Sequence, residues 1–163
     1  MAKIRLVAVL ISVSFLSACG ATGHFYPVQG PLAGQTPVPV LTAKASGIFN
    51  SGSISVVLAD GEICKGRWEV GQAVPQPTYS SAQSTPPASL ADVWDAVYGQ
   101  GFYVAHVLGS SFARGTAHGN RGTVLDIEMY RVNPHPHDTA APPVIRGVAK
   151  DTLGNIYKVA FGA

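Results

Sequence analysis

Apolar and polar residues alternate with a period of two in three separate regions of this chain, and each region doubles back across a turn-forming run. In the first, residues 54–58 and 63–70 flank Asp60-Gly61, a dipeptide suited to the positive φ of a tight hairpin. The second extends over 111–132, turns at Gly119-Asn-Arg-Gly122, and places Leu125, Ile127 and Met129 on one inward phase. The third pairs 144–150 with 156–161 around Asp151-Thr-Leu-Gly-Asn155. In Glu62-Ile-Cys-Lys-Gly-Arg-Trp68 the same alternation sets Cys64 and Trp68 on one face and Lys65 and Arg67 on the other.

The period changes at Leu90, Val93, Trp94, Val97 and Tyr98, which recur at helical spacing after Ser89 and Asp92, a capping-box pair, and before Gly99, a natural stop. So short a helix is marginal alone and must lie on a sheet. Residues 102–108 are apolar on both phases and read as a central strand. Two regions read as irregular. Residues 19–44 contain Pro27, Pro31, Pro37 and Pro39 among glycines and are expected to form a tether, with Phe25, Tyr26, Val28 and Leu32 able to dock; complete disorder is the other reading. Residues 72–88, rich in proline and serine, read as an exposed excursion. The expected fold is therefore mainly β, antiparallel, over 45–163: a small barrel or strongly bent sheet with one short packed helix, a two-sheet sandwich standing second. Residues 61–68 and 154–161 share glycine, isoleucine, lysine and a terminal aromatic at equal spacing, which either a repeated hairpin or common turn chemistry explains.

The 163 residues fit one domain. Basic residues number 11 and acidic ones 9; Lys3 and Arg5 lie in the N-terminal leader, and without them the charges balance. Lacking a basic excess, the chain has no electrostatic footprint of a nucleic-acid binder and no polybasic membrane-binding face.

Lys3 and Arg5 precede an apolar run over 6–15, too short for the roughly 20 residues that span a bilayer. Leu16-Ser17-Ala18-Cys19 follows directly. This start resembles a bacterial lipoprotein precursor. The resemblance implies a leader over 1–18, cleavage before Cys19, and lipidation of that residue, palmitate included; a plain cleaved signal or an uncleaved anchor is the alternative. Two or three acyl chains hold a protein stably where one would not. Gly20, where inner-membrane retention often uses Asp, tilts the implied location towards the outer membrane. The body resembles small β-rich lipoproteins of Gram-negative envelopes, and that likeness carries no activity. With Cys19 blocked, Cys64 has no partner for an internal disulfide and is expected to be buried.

Candidate chemistry is sparse. His135, His137 and Asp138 supply nitrogen and oxygen ligands for a divalent metal, with His118 able to join only if its hairpin folds beside them; the surrounding prolines favour a solvated loop. Ser110 or Ser111, His106 and Asp126 make a triad on paper but lack a nucleophile elbow, and His106 shares a phase with Phe102, Val104 and Leu108. Asp126 and Glu128 share a strand face that reads as a solvent face. Residues 115–122 are glycine-rich without the lysine of a phosphate loop. Tyr79, Tyr103 and Tyr130 are available to meet glycan or protein, or are ordinary strand and loop residues. No catalytic residue and no cofactor follow from these patterns. The expected function is a non-catalytic, membrane-anchored envelope module that recruits a protein or glycan partner, with exposed strand edges adding an extended segment. A metal-binding loop at His135 and His137 and a hydrolase without a local motif are the alternatives.

Overall fold

The computed structural model describes residues 20–48, 50–72, 90–132 and 144–162. Eight antiparallel strands follow one another around a closed barrel: β1 (Gly20–Gln29), β2 (Leu41–Ile48), β3 (Ser51–Val57), β4 (Ile63–Gln72), β5 (Ser111–Gly119), β6 (Val124–Val132), β7 (Val144–Asp151) and β8 (Ile156–Phe161). The ring closes where β1 pairs with β8, in register from Gly23↔Phe161 to Gln29↔Ile156. Between β4 and β5 lie a helix, α1 (Ala91–Tyr98), and a π-helical turn over Tyr103–Val107. The architecture is the barrel form of the expected antiparallel β fold, with its one short packed helix; the sandwich is excluded because a single ladder runs all the way round.

Three hairpins lie where alternation and turn residues put them, and their turns are alike. Leu58, Gly119 and Asp151 each donate the backbone N–H to the carbonyl four residues on and accept from the N–H three residues on. This is a three-residue loop with glycine in the left-handed region, occupied by Gly61, Gly122 and Gly154. The matched segments 61–68 and 154–161 thus start from the same turn. They place Cys64 with Tyr157, and Trp68 with Phe161, on the inward phases of β4 and β8.

The expected tether over 19–44 is corrected: β1 starts at Gly20 and β2 at Leu41, so the domain begins well before residue 45. Proline-rich sequence enters the sheet because Pro27 sits beside a register shift between Pro27 and Gln29, a position that spares the ladder the missing N–H. Phe25 is fully buried. The strand reading of 102–108 is also corrected. Asp95 accepts the N–H groups of Tyr103 and Gly101, both at 3.0 Å, and these bonds, Tyr103 first, hold its carboxyl below the usual carboxylate range while they coil the backbone. Apolar residues occur on both phases there because Phe102, Tyr103 and Val107 pack beneath the helix, not within the sheet. Of the expected excursion, only Gln72 lies among the described residues, as the end of β4.

The barrel interior is a hydrophobic core whose size is controlled by glycines. Gly23, Gly47, Gly52, Gly66, Gly115 and Gly147 all fall on inward phases. A Cβ at Gly23 would overlap the Phe161 ring, and at Gly47 or Gly52 the Trp68 indole. Eight strands leave an interior just wide enough for side chains, so large residues require bare backbone opposite. At the end holding the three turns the interior is plugged. Leu32 packs against the core, its N–H bonded to Asn155 Oδ1 at 2.9 Å. Asp151 accepts from the Tyr157 hydroxyl at 2.6 Å and from Asn155 Nδ2 at 2.9 Å. Glu62 accepts the Thr123 hydroxyl at 2.7 Å and the N–H groups of Arg121 and Thr123; the hydroxyl bond first, these keep its carboxyl below its ordinary range.

On the outside, α1 lies over the second half of the ring. Val93 and Trp94 meet Phe112 and Val148, while Tyr98, Phe102 and Tyr130 complete an aromatic cluster. Glu128, expected on a solvent face, is 1% exposed beneath this helix. Its carboxylate accepts Trp94 Nε1 at 2.9 Å, Arg114 Nε at 2.9 Å and the Leu90 N–H at 3.3 Å. Leu90 at the α1 N-cap makes no side-chain capping bond, and Glu128 supplies an anionic acceptor from the strand beneath. Ser89, the expected capping residue, lies outside the described residues.

Three substitutions test these packing arguments by urea unfolding. Gly52→Ala must push against the Ser46 carbonyl and Trp68 and is expected to cost about 1–3 kcal/mol. Gly71→Ala, with open space around its Cβ, should stay within about 0.5 kcal/mol of the parent. Glu128→Ala strands the indole N–H and the helix N-terminus and should cost about 2–3 kcal/mol with a red shift of Trp94 emission. A loss under about 1 kcal/mol would contradict the role given to this carboxylate.

Candidate functional site

Among the described residues, the barrel end opposite the three turns is open. A cavity of about 400 Å³ is lined there by Ala45, Trp68, Val70, Ala113, Met129, Ile145 and Phe161, with Asn50, Ser111, Tyr130 and Arg131 towards its lip. Its volume falls within the range of about 300–1,000 Å³ usual for small-molecule sites. Six strands and the β2–β3 turn contribute, so ring closure assembles it. The alternation that buries Cys64 carries Trp68 two turns of the pleat further, to the mouth, where its Nε1 donates to the Ser46 carbonyl at 3.2 Å. The Asn50 carbonyl accepts the Val70 N–H at 2.7 Å and holds the β2–β3 turn against β4. Small Ala45 and Ala113 line the cavity, whereas the space beside Gly47 and Gly52 is taken by the Trp68 indole.

The outer wall differs from the inside. Lys44, Ser55, Lys65 and Arg67 stand on the outward phases of β2 to β4, Lys44 opposite Ser55 and Ser55 opposite Lys65. Lysine and arginine on a lipid face cost about 2–4 kcal/mol each near the bilayer midplane, so this wall is built for water. No helix among the described residues is long and apolar enough to cross a membrane. A shallow polar depression of about 380 Å³ on this wall includes Arg67, Glu69, Arg114 and Thr116, but Arg114 is already paired with Glu128 at 2.7 Å.

Cys19, His135, His137, Asp138 and Tyr79 lie outside the described residues. His118 is exposed on the outward phase of β5, paired in register with Val124 at the start of β6. The connection carrying His135 begins after Val132, at the other end of this 9-residue strand, about 27 Å away at ~3.4 Å per residue. The paper triad is not assembled: Ser110 Oγ donates to the Val107 carbonyl at 2.7 Å, and Asp126 accepts the Thr116 hydroxyl at 2.9 Å. His106, read as a core or edge residue, is exposed, with its ring centroid 4.6 Å from that of Phe102. Tyr103 and Tyr130 are half-buried in the outer aromatic cluster. The free strand edges expected for segment addition do not exist in a closed ladder, and that mechanism is withdrawn.

The mouth residues escaped sequence reasoning because they gather only on closure. One signal was present: the matched segments put Trp68 and Phe161 at equivalent inward positions, and both line the cavity. Cys64 is buried as expected, and burial first, then the nearby carboxylates of Glu62, Asp151 and Asp60, pushes its thiol up to about 11. Tyr157 is likewise driven upward by burial and by Asp151, so its hydroxyl remains a donor. No protein-family model, curated protein or solved structure matches this chain.

In a Cys19→Ala chain Cys64 is the sole thiol, and native protein at pH 7.5 should resist maleimide while urea-unfolded protein is labelled fully; mass spectrometry reads both. Rapid native labelling would place the thiol at the surface.

Proposed function

We propose that this chain is a lipid-anchored, non-catalytic protein of the bacterial envelope, held at the outer membrane through Cys19, whose barrel binds an apolar ligand in its open mouth. The observation that carries the binding reading is the apolar cavity of about 400 Å³ between Trp68, Met129 and Phe161, at the end of the core that no described residue plugs. The anchor rests on the Leu16–Cys19 lipobox and the leader before it. The polar outer wall supports it, because a barrel with that wall needs attachment from outside its strands. An apolar group carried by an envelope component now stands where a protein segment added to a strand edge was expected.

Labelled palmitate should enter the parent chain and not the Cys19→Ala chain. An environment-sensitive apolar dye should bind both and change the emission of Trp68, while Trp94, buried beside Glu128, serves as the internal reference. Ala113→Phe fills the cup; losing about 55 Å² of apolar contact at ~25 cal/mol per Å² weakens dye binding about tenfold. Unchanged dye affinity in a folded Ala113→Phe chain would remove the mouth as the binding site, and palmitate retained in the Cys19→Ala chain would remove the anchor.

A further inference from the structure

Resting on that reading, we propose that the mouth opens onto the membrane that carries the anchor and takes an acyl chain of an anionic phospholipid, whose phosphate meets Arg131. Two independent observations lead there. The first is where the chain enters the barrel. Gly20 is the first residue of β1 and pairs with Ser46, the neighbour of the cavity-lining Ala45, and three residues later Gly23 lies opposite Phe161. The peptide bond to Cys19 therefore leaves from the rim of the mouth, and consecutive Cα atoms are only about 3.8 Å apart. With no linker between lipidated residue and sheet, the anchor brings the open end to the headgroups and the plugged end away from them.

The second observation is charge. Arg131 follows Leu125, Ile127 and Met129 on the inward phase of β6, pairs in register with Ile145, and sits at the lip. Among the described residues it is the only charged side chain lining the cavity, and it makes no ion pair with any of them. Beside it on the next strands are Ile145 and Phe161, and Met129 precedes it on the same inward phase. A cation over an apolar cup matches an amphiphile with an anionic head and a hydrocarbon tail. Arginine suits phosphate because its planar guanidinium gives paired hydrogen bonds.

The test uses the full lipidated protein reconstituted in phosphatidylcholine vesicles that contain either phosphatidylglycerol or phosphatidylcholine brominated along the acyl chains. Bromine quenches tryptophan on contact. Brominated phosphatidylglycerol should quench Trp68 at about fivefold lower mole fraction than the brominated choline lipid, the factor one exposed ion pair supplies. Arg131→Gln should erase that difference, and a Trp68→Phe chain, which retains Trp94, should show no quenching. Equal quenching by both lipids, unaffected by Arg131→Gln, would overturn the headgroup assignment. Absence of quenching while the apolar dye still binds would overturn the membrane-facing mouth and leave the cavity standing; dye failure as well would sink the cavity reading itself. Quenching confined to the Cys19→Ala chain would show the protein's own anchor chains in the cup, and binding of free fatty acid without vesicle quenching would show a soluble ligand. Either result defeats the proposal.

Discussion

The narrow interior of an eight-stranded ring is the constraint on which the rest of this structure depends. Phe25, Trp68, Tyr157 and Phe161 all point into it, which is possible only where facing backbone lacks side chains. Glycine at 23 seats Phe161, and glycines at 47 and 52 seat the Trp68 indole. These residues weaken isolated strands, since glycine loses the most freedom on folding, and closure with large apolar burial offsets the loss. The same distribution makes the two ends unlike. Leu41, Val56, Leu58 and Leu125 fill the half near the three turns, whereas near the mouth Ala45 and Ala113 stand among Trp68, Met129, Ile145 and Phe161. The cavity lies between those larger residues.

Outside the ring, stability relies on one buried carboxylate. An eight-residue helix has little intrinsic stability. Trp94 and Val93 bind it to the wall, but the contact surface includes polar groups that need partners: an indole N–H, a helix N-terminal N–H and the Arg114 guanidinium. Glu128 satisfies all three, so the helix is both packed and capped by residues from the opposite side of its interface. Arg114 keeps 28% of its side chain exposed, which leaves the ion pair one foot in water and makes the indole bond the more specific part of the contact.

Much of this fold was legible before any coordinates. Three hairpins were readable because two signals agreed in each: alternation along the strands and turn residues able to take a positive φ. The inward positions of Leu125, Ile127, Met129 and Cys64 followed from the same period. β1 was not readable because its prolines and glycines are, locally, loop signals; what makes it a strand is the pair of neighbours, β2 and β8, that it bridges. Residues 102–108 failed for a related reason, since apolar residues on both phases describe any segment buried from two sides. Glu128 looked solvent-facing because alternation reports which side of the sheet a residue occupies, and not what covers that side. The mouth was the least legible part, because Ala45, Trp68, Met129 and Phe161 are far apart in sequence and meet only when the first strand finds the last.

The outward charges of the barrel fit the proposed N-terminal anchor. Membrane-spanning barrels present an apolar belt outward, and this one inverts that arrangement, with Lys44, Lys65 and Arg67 on the wall and hydrocarbon within. Charged residues on that wall disfavour contact with hydrocarbon, so the proposed membrane residence is assigned to the chain that precedes the strands. On the proposed reading, diacyl or triacyl attachment at Cys19 would supply it, each buried methylene contributing about 0.8 kcal/mol. Because β1 begins at Gly20, an attachment at Cys19 as proposed would also set orientation. A longer tether would have left the barrel free to tumble above the surface. With β1 starting at Gly20, the proposed anchor position is coupled to the direction in which the cavity seen among the described residues faces.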